Sequence, residues 1–152
     1  MLEQRLAQLH ITLPALAGPF GAYVPARRAG GLLFVSGQLP MLNGRLLAMG
    51  PVPSQCSPEQ AQAAARQCII NALAAARSVE GSLDVLTGVV RVGVFVNSDP
   101  GFFGQPQVAN GASELLLELF GDAGRHARAA VGASALPMNA SVEVEVVFSI
   151  GG

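Results

Sequence analysis

The chain has little charge and few aromatic residues for its length. Only 12% of its 152 residues are charged, Tyr occurs once and Trp does not occur. Charged residues normally make up about 25% of a globular domain, so a monomer of this composition has little polar surface to cover its outside. Base-stacking platforms for single-stranded nucleic acid are scarce as well. We therefore expect self-association, and with a net charge of −1 we expect no nucleic-acid partner.

Long apolar runs, a targeting signal and cysteine clusters are also missing. The apolar runs, such as LLFV at 32–35, are far shorter than the roughly 20 residues that a bilayer requires. Glu3, Arg5 and His10 interrupt the first ten residues, which lack the pattern of a secretory signal. The two cysteines, Cys56 and Cys68, are too few for a disulfide framework and lack metal-ligand neighbours. We therefore predict no membrane partner, no metal site, free thiols and a cytoplasmic location.

The length fits a single domain over residues 1–152, preceded within that range by an arm at 1–19. Leu2, Leu6 and Leu9 predict a short amphipathic helix in the arm, followed by an irregular stretch with Pro14 and Pro19. Residues 22–36 read as two strands around a Gly-rich turn, and the Asn-Gly pair at 43–44 marks another tight turn.

Two helices are predicted in the middle of the chain. Ser57, Pro58 and Gln60 form a strong helix start, with a capping box and proline at the first helical position. This helix should run to about Val79 and end at Gly81. Apolar residues at helical spacing predict a second helix over 107–120.

Alternating residues predict the remaining strands. In the segment 84–97, the valines at 90, 92, 94 and 96 share one face, and Val89, Arg91, Gly93 and Phe95 share the other. Two last strands are expected at 125–134 and 141–150. The order ββ, α, β, α, ββ predicts an α+β fold with both helices on one face of a mixed sheet. The second face, to which Arg91, Arg128, Glu143 and Glu145 are assigned, is otherwise apolar, so we expect other copies of the chain to cover it.

Several stretches together resemble the RidA/YjgF family of enamine and imine deaminases. They are GAYVPA, LLFVSGQLP, VVRVGVFV and HARAAVGASALPMNASVEVEVVF, which span most of residues 23–148. The resemblance implies a chorismate-mutase-like fold and a homotrimer in which three sheets form a central barrel. It also implies an active site in each intersubunit cleft.

The resemblance assigns functional residues one by one. The carboxylate-binding arginine of the family falls on Arg128 and its water-handling glutamate on Glu143. Further pocket residues fall on Tyr23, Ser36, Gly37 and Asn110. Where the family often has a cysteine, two residues after the arginine, this chain has Ala130. That departure, the arm and the longer loops indicate a divergent branch of the family.

The residue types suit hydrolysis of a small carboxylate substrate, a 2-imino acid, without a cofactor. A guanidinium grips a carboxylate with two parallel hydrogen bonds, which suits Arg128. Glu143 can orient and deprotonate water, its pKa being raised by burial and lowered by Arg128. If the last two strands form a hairpin, Glu143 lies near Ala133 and far from Arg128. One of the pair must then reach the substrate from a neighbouring subunit or across a distortion.

Each assignment has an ordinary structural alternative. Arg128 could pair with Glu143 or Glu145, and both glutamates could be edge charges that discourage aggregation. Tyr23 could be an ordinary strand residue, Asn110 a local hydrogen-bonding residue, and His126 a structural side chain.

Three function classes remain open. The first is a deaminase acting on 2-aminoacrylate-type 2-imino acids, the second a non-catalytic trimer that binds or senses small carboxylates. The third is a ribonuclease or translation inhibitor, which the near-neutral charge and the lack of a His pair disfavour.

Overall fold

The structure, a computed structural model, describes residues 1–16 and 21–151, so Pro19 and the end of the predicted arm lie outside the described residues. The helices are α1 (Leu2–Gln8), α2 (Pro58–Glu80) and α3 (Gln105–Phe120). The strands are β1 (Ala26–Ala29), β2 (Leu32–Gln38), β3 (Met41–Leu42), β4 (Arg45–Leu46), β5 (Leu86–Asn97), β6 (Ala127–Ala133) and β7 (Val142–Ile150).

Five strands form a mixed sheet in the order β1-β2-β7-β5-β6. In this sheet β5 and β6 pair in parallel, and the other neighbouring strands pair antiparallel. Helices α2 and α3 pack against each other and against one face of this sheet. The predicted α+β architecture is confirmed, and β3 and β4 add a small separate hairpin around Asn43 and Gly44.

The start of α2 forms as its sequence predicts. The backbone N–H of Gln60 donates to Ser57 Oγ over 3.1 Å, and the backbone N–H of Ser57 donates to Gln60 Oε1 over 2.9 Å. Together these bonds satisfy two backbone donors that a helix start leaves open. At the other end, Gly81 adopts a φ of 81°, which a glycine tolerates best.

The core lies between the two long helices and the sheet. Its fully buried side chains include Leu73 of α2, Leu115 of α3 and Phe148 of β7. The two helices approach closely at Gly111, where a Cβ atom would overlap the backbone carbonyl of Gln62. This contact explains a glycine in the middle of a helix, a position it normally destabilises.

Helix α1 lies on the core. Leu2 and Leu6 are buried, as the amphipathic pattern predicts. The Glu3 carboxylate accepts from the backbone N–H of Leu83 over 3.0 Å and forms an ion pair with Arg77 over 3.4 Å. Within the described residues, no helix combines the length and apolar character needed to span a membrane.

A β-bulge in β5 makes the predicted face assignment wrong at its start. Val89 pairs with Phe148 and Arg91 with Val147, so Val90 is an extra residue on β5. Val89 is therefore buried and Val90 exposed, the reverse of the expectation. Beyond the bulge the valines at 92, 94 and 96 face the core as predicted.

The last two strands do not pair with each other, because β5 lies between them. Arg128 pairs with Val92, whose side chain is buried on the helix face, whereas Arg91 lies one residue earlier. Successive side chains of a strand point to opposite faces. The prediction that Arg91 and Arg128 share the second face is therefore wrong.

Candidate active site

The predicted site residues fall into two groups. The first, which we call the glutamate half-site, comprises Tyr23, Ser36, Gly37 and Glu143 around β2 and β7. The second, which we call the arginine half-site, comprises Asn110, Ser113 and Arg128 on α3 and β6.

The glutamate half-site is built on a bulge of β2. Val35 pairs with Val146 but Gln38 pairs with Val144, so one residue of β2 is extra between them. Bulges turn side chains away from the regular alternation of a strand. Here the bulge places Gly37 against Glu143, and a Cβ atom at position 37 would lie 3.1 Å from Glu143 Cδ. The absence of a side chain at Gly37 therefore gives the Glu143 carboxyl its place.

The electrostatic surroundings of Glu143 favour its neutral form. Burial raises the pKa of the Glu143 carboxyl, and the negative charge of Glu145 raises it further. The lowering of this pKa that we expected from Arg128 does not occur within one chain, where burial and Glu145 are the causes of the shift. A carboxyl with a raised pKa is better matched to proton transfer near neutral pH.

Ser36 ties the segment that contains Tyr23 to β2. Its hydroxyl donates to the Val24 carbonyl over 2.6 Å, and its backbone N–H donates to the Pro25 carbonyl over 2.9 Å. Tyr23, Ser36 and Gly37 all line a cavity of about 310 Å³. Three of the predicted pocket residues are therefore brought together.

Two polar residues that the sequence interpretation missed support the wall of this cavity. The side-chain amide of Asn71 donates to the carbonyls of Leu39 and Met41 over 3.0 and 2.9 Å. Gln67, one helical turn earlier, donates to Asn71 Oδ1 over 3.0 Å. Both are buried in α2. Their spacing of four residues in an alanine-rich helix could have revealed them, because polar groups on a buried face need partners.

The arginine half-site lies at the β6 edge of the sheet, two strands from the central strand β7 that contains Glu143. Arg128 Nη1 donates to Asn110 Oδ1 over 2.8 Å and to Ser113 Oγ over 3.2 Å. Asn110 and Ser113 lie on one side of α3, three residues apart, which places both beside the edge strand β6. The structure therefore joins the predicted residues Arg128 and Asn110, and it adds Ser113.

His126 contacts the same group from the chain that leads into β6. Its Nδ1 lies 2.6 Å from the Gly124 carbonyl oxygen, and its Nε2 lies 2.9 Å from Ser113 Oγ. The sequence showed no partner for this histidine, because Ser113 precedes it by 13 residues and the end of α3 intervenes.

One chain keeps the two half-sites apart. Arg128 is opposite Val92 and Glu143 is opposite Phe95, on strands that flank β5 from its two sides. Val92 and Phe95 lie three positions apart, so the two charged side chains also start from opposite faces of the sheet. Arg128 and Glu143 therefore cannot hold one small molecule together within a single chain.

Arg91 forms an ion pair on the second face of the sheet. Its Nη1 lies 3.1 Å from Glu145 Oε1, and the pair sits over Gly93 on the face opposite the helices. Glu145 therefore has an ordinary structural partner, and neither glutamate is paired with Arg128. Among the described residues, no three His, Cys, Asp or Glu side chains are grouped as a metal site requires.

The fold places the chain in a class of small α+β proteins that pack two helices on one face of a mixed sheet. Residues 3–149 match the family described as "YjgF/chorismate mutase-like, putative endoribonuclease". The chain belongs to this YjgF/RidA family, as the sequence motifs predicted.

Three relatives illustrate the match. Protein TCP17 of Trypanosoma cruzi is 42% identical over 146 residues, which cover 95% of this chain and 91% of that protein. The crystal structure of the protein Atu1372 from Agrobacterium tumefaciens has 43% identity and a TM-score of 0.89, covering 99% of this chain and 92% of that one. A 2-iminobutanoate/2-iminopropanoate deaminase of Dermatophagoides farinae is 28% identical over 141 residues, 92% of this chain and 94% of the relative.

Proposed function

We propose that the protein is a homotrimeric hydrolase that converts 2-imino acids into 2-oxo acids and ammonia in clefts between its subunits. The observation that carries the proposal is the separation of its two half-sites. Arg128 is held by Asn110 at one sheet edge, and Glu143 is held against Gly37 two strands away. A second copy of the chain would supply the missing half of each site.

The exposed face of the sheet supports this assembly. Phe34 and Val131 are each 46% exposed there, although they are apolar. Tyr23, Phe34, Arg91 and Glu145 line an open concave region of about 580 Å³ on the same face. An apolar sheet face of this kind is typical of a surface that another protein chain covers. In the proposed trimer the three sheets turn these faces toward one another as a barrel.

The two half-sites divide the chemistry. The guanidinium of Arg128 binds the substrate carboxylate through paired hydrogen bonds. Glu143 of the neighbouring subunit takes a proton from a water molecule, which attacks the imine carbon. The imine nitrogen takes up that proton, which gives a tetrahedral adduct with one hydroxyl and one amino group. Glu143 then transfers the hydroxyl proton of the adduct to the amino nitrogen, the C–N bond breaks to release ammonia, and the C=O bond of the 2-oxo acid forms. The 28%-identical relative with a 2-iminobutanoate/2-iminopropanoate deaminase name supports this substrate class.

Mixed trimers test whether the site is shared. The assay is ammonia release from 2-aminoacrylate generated in situ, with the trimer content checked by light scattering. Arg128→Lys and Glu143→Gln variants should each be nearly inactive alone. When subunits of both are mixed at random, about one cleft in four pairs an intact Arg128 with an intact Glu143, so activity should return to roughly a quarter of wild type. Mixed trimers that stay inactive would contradict a shared site.

A non-catalytic carboxylate-binding trimer is the second candidate, favoured by Ala130, which leaves no thiol two residues after Arg128. Wild-type protein that is stabilised by a 2-oxo acid but releases no ammonia above the spontaneous rate would select it. Salt-sensitive RNA binding would instead select the endoribonuclease activity named in the family description.

A further inference from the structure

A chain of hydrogen bonds leads from the backbone to Arg128. The Gly124 carbonyl can only accept, so the His126 Nδ1 that lies 2.6 Å away carries a hydrogen and donates it. In the neutral imidazole the other nitrogen, Nε2, then has a free lone pair. It accepts the hydroxyl hydrogen of Ser113 over 2.9 Å.

The hydroxyl of Ser113 is thereby given a fixed direction. Its single hydrogen points at His126, which leaves its oxygen lone pairs to accept from Arg128 Nη1 over 3.2 Å. The other hydrogen of the same Nη1 goes to Asn110 Oδ1 over 2.8 Å. Both hydrogens of Nη1 are therefore committed to α3.

The remaining edge of the guanidinium is presented away from α3. Within the described part of the chain, all hydrogen bonds of Arg128 leave from Nη1. The Nε and Nη2 hydrogens point in parallel and form the edge that matches the two oxygens of a carboxylate. An exposed arginine side chain would otherwise lose considerable rotamer entropy on binding a ligand.

We propose that His126 is a positioning residue for carboxylate binding, acting through Ser113 to hold Arg128 with its Nε–Nη2 edge free for the ligand. We call Gly124, His126 and Ser113 the histidine relay. The assignment of a carboxylate as the ligand rests on the proposed function, whereas the fixed orientation of the Arg128 guanidinium does not. The relay also explains why a histidine stands at this position although the described residues contain no cluster of metal ligands.

Two substitutions of His126 separate the relay from simple packing. Gln at position 126 can present an oxygen to Ser113 and an N–H to Gly124, so His126→Gln should preserve the relay. Leu has similar bulk but no acceptor, so His126→Leu should break it. Ser113→Ala breaks the relay one step later and serves as the second variant if His126→Leu fails to fold.

The ligand-independent measurement is nitrogen NMR of the arginine side chains, with the Arg128 signal assigned by its absence in Arg128→Lys. Wild type should show slow rotation of the Arg128 guanidinium and a His126 imidazole with an unprotonated Nε2. Rotation should be about tenfold faster in His126→Leu and in Ser113→Ala, because roughly one hydrogen bond is lost, and unchanged in His126→Gln.

The ligand-dependent measurement is calorimetric titration with 2-oxobutanoate, a stable analogue of the imine. Binding should be about tenfold weaker in His126→Leu and within about twofold of wild type in His126→Gln. Equal guanidinium rotation in wild type and His126→Leu, or equal defects in the Leu and Gln variants, would overturn the relay. If wild type shows slow rotation but binds no 2-oxobutanoate and releases no ammonia, the proposed function fails while the fixed guanidinium stands.

Discussion

The glutamate half-site and the arginine half-site reach their geometry by different means. Glu143 is half-buried and placed by the backbone, through the bulge of β2 and the missing side chain of Gly37. Arg128 is exposed on an edge strand and placed by polar side chains of α3. The comparison predicts that the first half-site is sensitive to added atoms and to nearby charge. The second should be sensitive to the loss of hydrogen-bond partners.

The largest effect should come from keeping the two half-sites apart. Phe34→Asp places a charge on the apolar sheet face and should dissociate the trimer, because an unpaired carboxylate cannot be buried there. All cleft activity should disappear with it. Val79→Asp on α2 is a matched control, since Val79 is 44% exposed against 46% for Phe34 but lies on a helix. Light scattering measures the oligomeric state of both variants. If the Phe34→Asp variant remains a trimer, the subunit interface does not include the sheet face around Phe34.

Glu143→Gln tests the chemical role of the glutamate half-site. The amide has nearly the same size but cannot accept a proton from water, so ammonia release should fall by about 10² to 10⁴. Affinity for a 2-oxo acid should change little, because Arg128 still holds the carboxylate. Glu145→Gln, two residues along the same strand face, is the control. If turnover were lost in Glu145→Gln but not in Glu143→Gln, the general base would be Glu145 and not Glu143.

Much of the fold could be predicted because its signals are local. The capping box of Ser57 and Gln60, the turn at Asn43 and Gly44 and the alternation of β7 each depend on neighbouring residues. The bulge at Val90 has no such signal, since neither glycine nor proline marks it. The face of Arg128 depends on which strand lies beside β6, which is a long-range property of the sheet.

The candidate site could be predicted only as a set of residues. The family motifs supplied Arg128, Glu143, Gly37 and Asn110, but not the grouping that the sheet order imposes on them. Contacts such as Ser113 with His126 join an internal helix position to a strand entry, and no spacing rule connects the two. The identities of the site residues could thus be predicted from the sequence, whereas the contacts between them could be seen only in the folded structure.

A smaller effect is expected where one methyl group is added to the glutamate half-site. In Gly37→Ala the new Cβ would lie 3.1 Å from Glu143 Cδ, so the carboxyl must move by a few tenths of an ångström. We expect the rate of ammonia release to fall roughly 3- to 10-fold with little change in 2-oxo acid affinity. Gly31→Ala is the control, because its Cβ would lie 4.0 Å from the nearest atom. Equal rates in the two variants would mean that Gly37 does not determine the position of the Glu143 carboxyl.

The smallest effect concerns the charge next to Glu143. As general base Glu143 must be ionised, so activity should be lost as the pH falls through its pKa. Burial and the charge of Glu145 both raise that pKa, which moves the acidic limb of the pH–rate profile above the ordinary range of a glutamate. Glu145→Gln removes one of the two causes, so the midpoint of the acidic limb should move to lower pH.

The plateau rate of Glu145→Gln above pH 7 should stay within about twofold of wild type, because glutamine has nearly the size of glutamate, can still accept a hydrogen bond from Arg91 and replaces no group assigned to the chemistry. The measurement is the pH dependence of kcat/KM for ammonia release, with Arg45→Gln, an exposed change on the β3–β4 hairpin, as the control. The direction of the shift decides the outcome. A midpoint that moves to higher pH, or that moves equally in the control, would mean that the acidic limb belongs to a group other than Glu143.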